Sequence, residues 1–98
     1  MKTNVQQPER LLNQLCDLML SLETREECIE FLKNMCTRGE MDSMVQRLEL
    51  FRQLRMGKTY AEISELTHVS STTISRASRI LSDTPSINAI LDRLSEEE

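Results

Sequence analysis

The chain has 98 residues, 39% of them hydrophobic but only 3% aromatic, with two glycines and two prolines; this disfavours a many-turned all-β fold and points to one small all-α domain. So short a chain buries a limited core by itself, which makes self-association an expectation. A net charge of −4 runs against a nucleic-acid binder until its distribution is counted, and no apolar run approaches membrane-spanning length.

Residues 1 to 8 are polar and read as an arm, ending at Pro8, which can open a helix at its first turn. They lack the apolar core of a secretory signal, so the cytoplasm is the expected location. From Glu9 to Leu22, the residues Leu11, Leu15, Leu18 and Leu22 form a helical seam that Leu12 and Met19 widen. A terminal helix with so wide a stripe suits a dimer interface; packing within its own chain is the alternative.

Thr24 and Glu27 predict a capping box for a second helix, whose buried stripe is expected to be Cys28, Phe31, Leu32, Met35 and Cys36. Glu23, Glu26, Glu27 and Glu30 load its early turns with negative charge that complements the helix dipole, so no catalytic carboxylate pair is invoked. Thr37 to Glu40 interrupts the pattern and caps the next helix. This third, central helix is predicted from Met41 to Met56, with Met44, Val45, Leu48, Leu50, Phe51 and Leu54 spread round more than one face. Arg47, Arg52 and Arg55 mark its polar side, and Gly57 stands where a left-handed residue ends a helix.

Lys58 to Leu81 reads as two short helices joined by a compact turn. Thr59 and Glu62 form a capping pair that starts the first, in which Tyr60, Ile63 and Leu66 recur at helical spacing. Val69 plugs the turn, and His68, a residue that tolerates positive φ, stands where many helix-turn-helix sequences carry Gly. The second helix starts behind Ser70 or Ser71; Ile74, Ala77 and Leu81 form its inner face and leave Thr72, Ser75, Arg76 and Arg79 outside. Then Thr84 and Pro85 offer an N-cap and an N1 proline for a last helix with Ile87, Ile90, Leu91 and Leu94 as its stripe, before a solvated tail, Glu96 to Glu98.

From Arg47 to Ser82 there are six basic residues against three acidic ones, a local balance of +3 that leaves −7 on the remainder. The outer face of the helix after the turn therefore has the chemistry that a DNA major groove asks for. Short hydroxyl side chains let the backbone approach base edges, and guanidinium groups one turn later clamp phosphate or guanine. Cys16, Cys28 and Cys36 form no CxxC pair and lie among apolar helical residues, so they read as small hydrophobes, and no metal or other cofactor is expected. With one histidine in a turn and no glycine-rich phosphate loop, the chain is not expected to be an enzyme.

Six helices with a helix-turn-helix at the fourth and fifth resemble the tryptophan repressor superfamily, most closely its Trp-repressor-related (TrpR-like) bacterial branch. The resemblance runs from about Leu11 to Leu94 and is sharpest in LCDLML of the first helix and VSSTTISRAS of the fifth. It implies a six-helix fold in an intertwined homodimer that binds operator DNA and regulates transcription, as a repressor. Residues 1–98 would then be one domain, with 59–81 reading DNA and the helices of 9–56 and 85–94 pairing two copies. DNA-facing residues are expected to be Lys58, Thr59, Ser71, Thr72, Thr73, Ser75, Arg76 and Arg79. Lys58 and Thr59 would meet phosphate through side chains and backbone amides.

Thr37, Arg47 and Arg76 stand where the family holds its amino-acid ligand. Ala77, however, replaces a Gly, and Ile80 replaces a Ser that helps to hold the ligand's amino group; both are expected to face inward. No tryptophan response is expected, and the sequence names no other effector. The rival reading is a helical protein-interaction adaptor, in which the outer arginines meet an acidic protein.

Overall fold

The computed structural model describes residues 8–94, and these form six helices: α1 (Pro8–Ser21), α2 (Arg25–Met35), α3 (Arg38–Arg55), α4 (Tyr60–Thr67), α5 (Ser71–Asp83) and α6 (Pro85–Leu91). No strand occurs among the described residues. The arm expected before Pro8 and the tail Glu96 to Glu98 lie outside them. Among the described residues no helix is long and apolar enough to cross a membrane. The chain divides into two compact units, Met1–Met41 and Asp42–Glu98.

The first unit contains α1, α2 and the opening turn of α3. Pro8 occupies the first position of α1, where its missing N–H costs nothing. Thr24 caps α2 by accepting from the Glu27 N–H at 3.1 Å. The Glu27 carboxylate reaches one residue past the expected partner, accepting from the Glu23 N–H at 2.8 Å. No described residue of this unit is buried. The stripe expected to be buried on α2 is not: Cys28 and Met35 are exposed, and Phe31, Leu32 and Cys36 are half-buried. Helical periodicity assigns apolar residues to one face but does not supply the surface that covers it.

The start of α3 also departs from expectation, at Arg38 rather than Met41. The Thr37 Oγ1 accepts from the Glu40 N–H at 3.1 Å, and the Glu40 carboxylate accepts from the Thr37 N–H at 2.7 Å. This reciprocal pair nucleates the helix three residues early and carries Gly39 inside its first turn.

The second unit holds the core. Leu50 and Phe51 of α3, Ile63 of α4, Val69 of the turn, Ile74 and Ala77 of α5 and Leu91 of α6 are buried together, with Leu54, Leu81, Ile87 and Leu94 packed against them. Ile63 and Ile74 are 0% exposed, and each such side chain contributes about 1.5–3 kcal/mol of transfer free energy. Helix α5 packs against both α4 and α6. Only from Leu50 onward does α3 fulfil its central role, since Met44, Val45 and Leu48 are exposed.

Local bonds set the ends of these helices. Gly57, at φ +84, ends α3; its N–H donates to the Leu54 carbonyl and the Lys58 N–H to that of Gln53, the paired bonds of a Schellman stop. Pro85 opens α6 behind Thr84, which makes no side-chain cap. The Asn88 Nδ2 donates to the Leu81 carbonyl at 2.8 Å, tying α6 to α5, and an Arg55–Asp92 ion pair joins the end of α3 to the residue after α6.

Candidate nucleic-acid interface

The candidate site is built on α4, its turn and α5, all within the second unit. The start of α4 carries the expected capping box: the Thr59 Oγ1 accepts from the Glu62 N–H at 3.1 Å and the Glu62 carboxylate accepts from the Thr59 N–H at 2.8 Å. That contact, first through the backbone N–H and then through the Thr59 side chain, holds the Glu62 carboxyl below its ordinary range. The turn closes without glycine. His68 adopts φ 62 and ψ 24 and donates its N–H to the Ser64 carbonyl at 2.7 Å. The Thr67 hydroxyl donates to the Ile63 carbonyl and accepts from the Val69 N–H, which leaves the Val69 side chain buried as the plug between helices.

Of the two serines offered by the sequence, Ser70 is the cap of α5; its Oγ accepts from the Thr73 N–H at 3.3 Å. Ser71 and Thr72 take the first two helical positions, whose N–H groups have no carbonyl a turn earlier to bond and face outward at the positive end of the helix dipole. Ser71, Ser75 and Arg79 follow at one-turn intervals, with Thr72 and Arg76 beside them. Together with Tyr60 these five line an open hollow of about 450 Å³. Neither arginine makes an ion pair among the described residues.

The other expected DNA-facing residues lie outside this hollow. Thr73 is exposed, and its Oγ1 accepts from the Ser70 hydroxyl at 3.2 Å. The Lys58 N–H is engaged with Gln53 and the Thr59 N–H with Glu62, so contact through these two residues falls to their side chains rather than their amides. The Lys58 charge also helps to hold Glu62 and Glu49 ionised. Glu49 is lowered first by the Gln53 amide, which donates to it at 2.6 Å, and next by Arg52 at 2.7 Å, against the opposing effect of burial.

Tyr60 escaped the sequence reading because it falls into register with Ile63 and Leu66. In the structure only Ile63 of the three is buried, and Tyr60 is 40% exposed. Its place in the first turn of α4, one residue after the capping Thr59, was the available signal, because a helix's first turn lies at the edge of the surface that the rest of the helix buries.

The candidate ligand residues come from both units of the chain. Thr37 is in the first unit and caps α3, Arg47 is exposed on α3, and Arg76 lines the hollow. Ala77 is buried as expected, but Ile80 is 36% exposed, at the margin of the outer face. Six positions beyond Ile74 on a 3.6-residue repeat, it falls well off the buried line through Ile74, Ala77 and Leu81. All three cysteines are free; Cys16 and Cys28 are exposed, so they do not act as buried hydrophobes within this chain. Among the described residues no group of three or more His, Cys, Asp or Glu is placed to hold a metal ion.

Residues 10–95 match the family model described as Trp repressor protein. A Bacillus subtilis (strain 168) protein, YerC, described as uncharacterized, is 43% identical over 88 residues, covering 89% of this chain and 85% of that one. The structure of a TrpR-like protein from Eubacterium eligens ATCC 27750 superposes with a TM-score of 0.82 at 33% identity, over 97% of this chain and 99% of the other. That of a candidate Trp repressor from Staphylococcus aureus gives 0.79 at 37% identity, over 92% and 94%.

Proposed function

The chain belongs to the Trp repressor protein family, and on that premise we propose that it is a sequence-specific transcriptional regulator, a cytoplasmic repressor that binds a double-stranded DNA operator as a homodimer. The observation that carries this reading is the outer face of α5, where hydroxyl groups at the helix start and two guanidinium groups, unpaired among the described residues, line one hollow. Ser71, Thr72 and Thr73 read base edges, with Ser75 beside them. Arg76 and Arg79 position the helix on the phosphates, and the side chains of Lys58 and Thr59 add phosphate contacts.

Pairing of two copies has its own support. The first unit has no buried residue among those described, and Leu12, Leu20 and Val45 are more than half exposed. Apolar surface on that scale calls for a partner, and a second copy brings the matching stripes. In this reading 59–81 contacts DNA while the helices of 9–56 and 85–94 form an intertwined dimer. The patch of +3 is too modest for one copy to bind tightly, and two half-sites double it.

Selection of bound sequences from a random DNA pool tests the reading. The expected product is a symmetric site with half-sites about one helical turn apart, or a multiple of it. Binding that is absent or indifferent to sequence would support the helical adaptor instead.

Tryptophan does not control this protein in our reading. Ile80 offers no polar partner for an amino group, and Ala77 places a methyl group where the family's ligand site has Gly. An ammonium left unpaired in a buried site costs roughly 1–3 kcal/mol or more. Saturable tryptophan binding by calorimetry, with DNA affinity rising in step, would refute this.

A further inference from the structure

One residue of the hollow has chemistry unlike its neighbours. Tyr60, the chain's single tyrosine, stands at the first position of α4 and shares the hollow with Ser71, Thr72, Ser75, Arg76 and Arg79. The residue is 40% exposed, so the core does not cover it fully. Among the six it is the one aromatic side chain, and it carries no charge to set against phosphate.

The groups displayed on base edges in the major groove are hydrogen-bond donors and acceptors with one exception, the C5-methyl group of thymine. The serines, the threonine and the arginines match the polar groups; the ring matches the methyl group. We propose that Tyr60 is a specificity-determining residue whose ring packs on a thymine methyl group, once in each half-site. This deepens the DNA-binding reading above and rests on it. An apolar contact of this kind releases no counterion, so it shapes sequence preference while leaving the salt dependence of binding unchanged.

The test compares wild type, Y60F and Y60A, each selected against a random DNA pool and then titrated on the preferred site with thymine or uracil at the position concerned. Uracil lacks only the methyl group. Wild type and Y60F are expected to prefer thymine at one symmetric pair of positions and to lose about fivefold or more in affinity on uracil. Y60A is expected to lose preference at that pair alone, to ignore the uracil exchange and to keep the wild-type salt slope. Circular dichroism checks that the variants are folded.

The proposal is overturned if Y60A keeps the thymine preference, or if it weakens all sequences equally with a shallower salt slope, which marks a phosphate contact. It is also overturned if Y60F behaves as Y60A, which assigns the reading to the hydroxyl. A wild-type protein that selects no sequence removes the DNA-binding reading itself, and this proposal with it.

Discussion

Replacing Arg76 or Arg79 by Ala tests the DNA face most directly. Both side chains line the hollow and neither is held by a carboxylate among the described residues, so the whole of each charge is available to phosphate. Neutralising one phosphate contributes about 0.9 to the slope of log affinity against log salt, and a homodimer loses two such contacts, about 1.8 in all. Between about 50 and about 200 mM salt the variant should therefore lose roughly 12-fold less affinity than wild type, although it binds more weakly throughout. Fluorescence anisotropy on a selected site at four or five salt concentrations gives both quantities. Arg79→Lys should keep most of the slope, since it keeps the charge. A weaker variant with the full wild-type slope would assign the arginine to base reading, and unchanged affinity in both alanine variants would remove α5 from the interface.

Three further predictions concern the frame that presents this face. Thr59→Ala removes the acceptor of the Glu62 N–H and should cost about 1 kcal/mol, lowering Tm by about 4–8 °C at fixed protein concentration; Thr59→Ser should behave nearly as wild type, and equal damage from both would refute the cap. Ile74→Ala empties a site that is 0% exposed under α5 and should cost about 2–5 kcal/mol in denaturant titrations. Glu49 and Glu62 both titrate below the ordinary 4.5 in the folded chain. Their contribution to stability is thus complete above that value and is lost as pH falls through the lower folded values. The denaturation midpoint should accordingly fall on acidification below about pH 4.5, and E49Q or E62Q should flatten that fall. A midpoint that rises on acidification, or an equal fall in both variants, would contradict the assignment.

What the sequence determined by itself was local. The boxes of Thr37 with Glu40 and Thr59 with Glu62, the stop at Gly57, the positive φ of His68 and the proline at the start of α6 each depend on residues within about five positions of one another. Such bonds form wherever the helix forms, so spacing reveals them. Spacing also identified the inner face of α5, because Ile74, Ala77 and Leu81 leave little choice of direction. Even locally one boundary was misplaced: the break in the apolar pattern from Thr37 to Glu40 put the start of α3 at Met41, whereas the cap at Thr37 starts it at Arg38.

Only the tertiary structure decided which apolar faces are covered. Periodicity treats the stripes of α1 and α2 and the line through Tyr60, Ile63 and Leu66 alike. In the folded chain Ile63 is buried under α5 while Tyr60 lines the hollow and no residue of the α1 and α2 stripes is fully buried. The physical reason is that burial belongs to pairs of surfaces. A helix's own sequence specifies one of the two, and the other comes from elements distant in the chain. For α4 and α5 that partner is their own core; for α1 and α2, in the proposed dimer, it is a second molecule.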